Sequence, residues 1–144
     1  MSDIPDYTDP EQAEEAFYAA FESADLEAMM RLWADDDTII CVHPGGTRLV
    51  GREAIRESWR QIFDGRMRLR FRITGHHCLT DEGVAVHSVQ EEIEVTGQDR
   101  AAAVVASTNV FVLTDAGWRI WMHHASSSAK DDEMDDPGPR PTLH

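Results

Sequence analysis

Apolar residues recur at helical spacing early in the chain and at alternating spacing in its second half. Ala13, Ala16, Phe17, Ala20 and Phe21 fall at i, i+3, i+4, i+7 and i+8, one face of a helix. Asp9 is placed to cap that helix, Pro10 suits its first position, and Gln12 stands where a capping box wants an amide. Ser23-Ala24-Asp25 breaks the pattern. A shorter helix then runs to about Trp33 and buries Leu26, Met29, Met30 and Trp33. Asp35-Asp36-Asp37 reads as a turn, Thr38 to His43 as a short strand, and Pro44-Gly45-Gly46 as its end. A third helix spans roughly Arg52 to Phe63. Its apolar face carries Ile55, Trp59, Ile62 and Phe63, and its other face Arg52, Arg56 and Arg60.

From Arg66 onward the period shortens from 3.6 to 2. Met67, Leu69, Phe71 and Ile73 alternate with Arg66, Arg68, Arg70 and Arg72, which predicts a strand with one wet face. Val84 to Val95 is a second strand, after the Asp81-Glu82-Gly83 turn. Ala102 to Leu113, apolar on both faces, is a third. Trp118 to Ser126 is the last, across a Thr114-Asp115-Ala116-Gly117 hairpin turn. Helices gathered ahead of an antiparallel meander define an α+β fold. Long strands joined by tight turns twist and curl, so the helices are expected in the concave face.

Composition narrows the class. With 144 residues, 42% hydrophobic and 28% charged, the chain fits one soluble domain. Acids outnumber bases 27 to 13 for a net charge of −14, so neither nucleic acid nor a membrane is an expected partner. Cys41 and Cys78 form no paired spacing, which argues against a disulfide framework or a zinc knuckle. The N-terminus lacks a signal-peptide pattern, and no apolar run approaches the ~18 residues of a membrane span. A cytoplasmic location is expected. Residues 1–128 read as one domain with a short N-terminal arm. Residues 129–144, with the run Asp131-Asp132-Glu133-Met134-Asp135-Asp136, read as an acidic tail without fixed structure.

Four stretches carry a resemblance to a known family. They are Ser23 to Met29 continuing through Trp33-Ala34-Asp35-Asp36-Asp37; Val42-His43-Pro44-Gly45-Gly46 with Gly51-Arg52-Glu53-Ala54-Ile55; Ser107-Thr108-Asn109-Val110-Phe111; and Gly117 to Ser126. Across residues 9–128 the chain resembles the SnoaL-like group of the nuclear-transport-factor-two superfamily. That superfamily also contains ketosteroid isomerase and the association domain of calmodulin-dependent kinase. The resemblance implies a cone of curved, mostly antiparallel sheet with three helices on its concave face, the cystatin-like α+β roll. It also implies a pocket in the cone and a homodimer through the sheet face. Ketosteroid isomerase-like enzymes use a carboxylate base on the first strand, a tyrosine on the first helix and a protonated aspartate on a late strand. The resemblance carries the base position to Cys41 or His43, the tyrosine to Phe17 with Tyr18 beside it, and the late aspartate to Asn109. The carboxylate is absent, the phenol displaced and the acid replaced by an amide, so steroid isomerisation is not expected.

A polar pocket survives these changes. Asn109 can donate a hydrogen bond to an oxyanion and His43 can act as a base; equally, both can serve only to satisfy buried backbone groups. Alternation from Trp118, Ile120 and Met122 puts His124 and Ser126 on the inner face, with Trp121 and His123 facing away. His43, Asn109 and His124 are thus the candidate catalytic residues. Tyr18, Trp33, Cys41, Trp59 and Ser126 are the candidate ligand-binding residues, and core packing is the alternative role for the rings and for Cys41. No cofactor or metal site is expected. His76-His77 and His123-His124 are adjacent pairs that point to opposite faces of a strand, and neither HxH nor HExxH occurs. The arginines from Arg66 to Arg72 have cross-strand partners in Glu91, Glu92 and Glu94. Two functions stand open. One is a pocket protein for a small apolar or partly polar ligand of unknown identity, with isomerase- or hydrolase-type acid–base chemistry. The other is a non-catalytic dimerisation or assembly module.

Overall fold

The computed structural model describes residues 7–65, 68–96 and 103–128. Three helices, α1 (Pro10–Ser23), α2 (Leu26–Leu32) and α3 (Arg52–Asp64), accompany six strands. The strands are β1 (Ile40–Val42), β2 (Leu49–Val50), β3 (Leu69–Asp81), β4 (Val84–Val95), β5 (Ala103–Thr114) and β6 (Gly117–Ser128). They form one open mixed sheet in the order β2-β1-β6-β5-β4-β3. β3 to β6 are the expected antiparallel meander, while β1 runs parallel to β6 and pairs Ile40 with Met122. The architecture is the expected α+β cone. The expected acidic tail, 129–144, and residues 1–6 of the expected arm lie outside the described residues. Among the described residues no helix is long and apolar enough to cross a membrane.

Local chemistry sets the helix ends. The Asp9 carboxylate accepts from Gln12 N–H at 2.8 Å, and Pro10 opens α1. The Asp25 carboxylate caps α2 through Ala28 N–H. Arg52, expected on a polar helix face, forks back onto the Met30, Trp33 and Ala34 carbonyls at the end of α2 and so locks α3 to it. The helices press Phe17, Met29, Leu32, Trp33, Ile55 and Trp59 against Phe111 and Ile120 of the sheet, and all of these are buried.

Two irregularities decide which side chains face the cone. On β6, Ile120 stands opposite Phe111 but Met122 stands opposite Val110, so Trp121 is an extra residue in the strand. The alternation reverses there. His123 and Ala125 point inward and are buried, whereas His124 and Ser126 are exposed on the other face. This corrects the expected inward placement of His124 and Ser126. On β3, Thr74 pairs with Gln90 and His77 with Ser88, so Gly75 and His76 together oppose Val89. Gly75 adopts φ +65°, a conformation that glycine takes without strain.

Candidate functional site

The centre of the cone holds a chain of hydrogen bonds that crosses α1 and three strands. His123 on β6 and Asn109 on β5 are direct cross-strand partners, with His123 Nδ1 2.6 Å from Asn109 Oδ1. The Asn109 amide donates from Nδ2 to Glu14 Oε2 at 3.0 Å and to the Tyr18 hydroxyl at 3.2 Å. Tyr18 in turn donates to Glu91 Oε2 at 2.6 Å, and Ser107 donates to the same oxygen at 2.7 Å. Glu14 and Tyr18 are neighbours on one face of α1, four residues apart. Glu91, Ser107, Asn109 and His123 are buried inward positions on β4, β5 and β6. Because the amide nitrogen is committed to Glu14 and Tyr18, Asn109 offers its oxygen to His123. His123 therefore carries its proton on Nδ1 and its lone pair on Nε2.

Burial sets the charges. His123 is 1% exposed, and desolvation, with His43 and His124 nearby, depresses its pKa to about 3, so the ring is neutral. Burial raises the Glu91 carboxyl above its ordinary range despite the Tyr18 and Ser107 bonds. Burial and the adjacent Glu91 raise the Tyr18 phenol well above its own. At Glu14 burial also pushes upward, but His87 and Asn109 together outweigh it and hold the carboxyl below its usual value. His87 is raised by Glu14, against burial and with help from Glu11. Its ring is fully buried, with Nδ1 3.1 Å from Glu14 Oε1 and Nε2 3.7 Å from Glu11 Oε2. Both contacts are too long or too poorly aligned to be hydrogen bonds, and neither nitrogen has a hydrogen-bond partner.

His43 sits apart from this chain, across the Trp59 ring. It is half-buried, stands edge-on to Trp59 at 4.8 Å, and places Nε2 3.1 Å from Ser58 Oγ and 3.6 Å from Cys41 Sγ. The Ser58 hydroxyl donates to the Ile55 carbonyl, so His43 Nε2 is the donor to Ser58 and Nδ1 holds the lone pair. Burial lowers the His43 pKa, which keeps the ring neutral at pH 7. Burial pushes the Cys41 thiol up to about 12. As a buried thiol it is no nucleophile at neutral pH.

The structure thus joins Asn109 and Tyr18 directly and leaves His43 and Cys41 a ring away. Trp33 and Trp59 are core residues whose indole N–H groups have no acceptor. Trp33 also lines a groove of about 510 Å³ outside the cone, with Arg31, Asp35, Arg52, Val112 and Arg119. The phenol in the network is Tyr18, not Phe17, which packs between the rings of Trp59 and His123. Sequence reasoning missed Glu14, His87, Glu91 and His123. Glu91 is not a partner for the arginine strand: it lies opposite Ile73, while Glu92 and Glu94 lie opposite Arg72 and Arg70. The signal for Glu91 was available, since it shares the parity of Ala85, His87 and Val89 on β4. Among the described residues no group of three or more His, Cys, Asp or Glu side chains could hold a metal ion.

Comparison with known proteins identifies the family. The model of the SnoaL-like domain matches residues 11–130. The chain belongs to the SnoaL-like family. A solved structure from Thiobacillus denitrificans, described as a candidate calcium/calmodulin-dependent protein kinase type II association domain, is 35% identical. It aligns over 87% of this SnoaL-like chain and 99% of its own, with a TM-score of 0.83. A candidate dehydratase of the NTF2-like family from Streptomyces avermitilis is 32% identical over 83% of this chain and 94% of its own, with a TM-score of 0.76. The F-box protein SKIP8 of Arabidopsis thaliana is 27% identical over 120 residues, 82% of this chain. This chain spans about half, 49%, of that relative's length.

Proposed function

We propose that this SnoaL-like protein binds a small molecule with an apolar body and a hydrogen-bonding group inside the cone, and acts on it by acid–base chemistry. The observation that carries this reading is the run of bonds from His123 through Asn109 to Glu14, Tyr18, Glu91 and Ser107. Ionisable groups in a core are costly even when paired. A fold packed around Phe17, Trp33, Trp59 and Phe111 does not need them for stability. Buried titratable groups with displaced pKa values are a signature of working sites.

The neighbouring groups support a role for each residue. Trp59 Nε1 is a buried donor without an acceptor, and its ring stands 6.3 Å from His123 and 4.8 Å from His43. His123 Nε2 accepts from a ligand hydroxyl or N–H, and Asn109 fixes its tautomer. His43, neutral and half-buried, is the general base through Nδ1. Isomerisation, hydrolysis or loss of water from a small molecule needs a base and neutral donors of this kind, and the description of the Streptomyces relative agrees with that class.

An assembly role has support of its own in the Thiobacillus relative and in the outer sheet face, where Val86, Val104, Val110 and Met122 are half-exposed. In our reading that face pairs two copies and the cone does the work. The test is native mass spectrometry and sedimentation of protein purified from cells without refolding. Wild type is expected to carry a bound small molecule that His43→Ala and Asn109→Leu lose, with the oligomer unchanged. An empty wild type, or variants that lose the oligomer and keep the molecule, would overturn the reading in favour of assembly.

A further inference from the structure

We propose that Glu14 is a positioning residue that fixes the tautomer of His123 through Asn109, and so commits the cone to a ligand that donates a hydrogen bond from an O–H or N–H group. The choice of ligand rests on the reading of the cone as a ligand site; the fixed tautomer does not. An ionised carboxylate holds only acceptors. Glu14 Oε2 stands 3.0 Å from the Asn109 side chain and therefore takes its NH₂ side. Turned over, Asn109 would set its own oxygen against that carboxylate. It would also face the Tyr18 hydroxyl, whose proton is spent on Glu91 at 2.6 Å. The oxygen left to His123 accepts from Nδ1 at 2.6 Å, so the lone pair falls on Nε2. Glu14, Tyr18, Glu91, Asn109 and His123 are all buried, so each bond left unmade is costly. An alcohol, a phenol or an N–H compound satisfies the Nε2 lone pair. A ligand with only a carbonyl or an ether meets one acceptor with another and is rejected.

The charge on Glu14 is held from β3 and β4. Its other oxygen, Oε1, faces His87 Nδ1 at 3.1 Å and His76 Nε2 at 3.4 Å. His87 is paired in turn with Glu11 at 3.7 Å. Tyr18, Cys78 and Glu91 also lie within reach of the Glu14 charge. Protonated His87 and His76 keep Glu14 ionised. A proton on Glu14 Oε2 reverses each bond in turn. Asn109 then turns its oxygen to Glu14 and its NH₂ to His123. Tyr18 can follow, because Glu91 is the weaker acid of the two. Raised where Glu14 is lowered, Glu91 is already protonated when Glu14 takes its proton, and it donates to the phenol oxygen. His123 gives up the Nδ1 proton to solvent and takes one on Nε2, so the ring stays neutral. Burial, with His43 and His124 nearby, opposes a charge there. The ionisation of one carboxyl on α1 thus decides whether β6 offers the ligand an acceptor or a donor.

The test is the ring ¹⁵N spectrum of His123 in labelled full-length protein, alone and with cyclohexanol or cyclohexanone as donor and acceptor probes. A bare imidazole nitrogen and a protonated one resonate far apart, so the tautomer is read directly. Wild type is expected to hold Nδ1 protonated and Nε2 bare between about pH 5 and about pH 8. Glu14→Gln can turn its NH₂ to Asn109. The Nε2–H form is therefore expected to appear, and to grow as His87 charges and claims the glutamine oxygen. A purely structural role for Glu14 would loosen the fold without exchanging the two nitrogens. Cyclohexanol is expected to move the wild-type Nε2 resonance more than cyclohexanone does, and Glu14→Gln to shrink that difference. If Glu14→Gln does not fold, acidifying wild type through the Glu14 titration should exchange the nitrogens before the ring charges. A wild-type ring protonated on Nε2, or a Glu14→Gln spectrum identical to wild type at both ends of the pH range, overturns the proposal. A tautomer that changes as expected in protein that binds neither probe upholds the role of Glu14 and removes the ligand reading of the cone.

Discussion

His123 and Asn109 face each other across β6 and β5 and share a 2.6 Å hydrogen bond. Asn109 is the joint of the network, because the same amide reaches Glu14 and Tyr18 on α1. Replacing it with alanine leaves His123 Nδ1 and Glu14 Oε2 buried without their partner. At about 1–3 kcal/mol for each of the two orphaned groups, Asn109→Ala is expected to lose roughly 2–6 kcal/mol of stability in urea unfolding. A loss below about 1 kcal/mol would mean that the network is not formed as described.

Glu91 gives a prediction with a definite sign. Its carboxyl is raised in the folded state, so it favours folding below its unfolded value of 4.5 and that contribution is lost as pH rises through the folded value. Glutamine at this position can still accept from Tyr18 and Ser107 but never ionises. The stability of Glu91→Gln relative to wild type should therefore grow between about pH 4 and about pH 8. Denaturant midpoints at the two pH values check this, and a constant difference would refute it.

The Glu14–His87 pair has a bounded pH window. Glu14 is lowered, so its contribution is present above the unfolded value of 4.5 and lost as pH falls through the folded value. His87 is raised, so its contribution is present below the unfolded value of 6.5 and lost as pH rises through the folded value. The two overlap fully between 4.5 and 6.5. The destabilisation caused by His87→Gln should be largest in that window and shrink towards alkaline pH. In an NMR titration of the same sample, His123 should stay neutral to about pH 3, where its own pKa lies.

Thiol reactivity separates the two cysteines. Cys41 is fully buried with its thiol near 12, while Cys78 is exposed on β3. Native protein is expected to release one equivalent of chromophore from a disulfide reagent, and Cys78→Ser to release none until it is unfolded. A fast second equivalent would show that the Cys41 thiol is reactive in the folded protein.

The sequence reveals the elements far better than the site. Apolar spacing locates α1, α3 and the meander because each buries a continuous face, and β4 begins and ends at Val84 and Val95 as expected. β2 escapes because two residues, Leu49 and Val50, carry no period. The family resemblance draws attention to Asn109 and Tyr18, and both join the network. Periodicity points to His124 rather than His123 because it assumes an unbroken pleat, and one extra residue at Trp121 reverses it. Glu14, His87 and Glu91 escape for a different reason. An acid or a histidine reads as solvent-facing until the partner that neutralises it is in view, and those partners lie on other elements.

The parallel pairing of β1 with β6 also orders events during synthesis. Ala34 N–H bonds to Ile120 O, Trp33 bridges the same residue, and Ile40 lies beside Met122, so the helical half docks on a strand synthesised after β3, β4 and β5. Until then Phe17, Trp33 and Trp59 lack the cover that Ile120 and His123 of β6 supply. Sequence-distant contacts of this kind slow folding and prolong exposure of apolar surface. Ribosome-tethered chains cut short before Gly117 should bind holdase chaperones, whereas chains extended past Ser128 should be released from them.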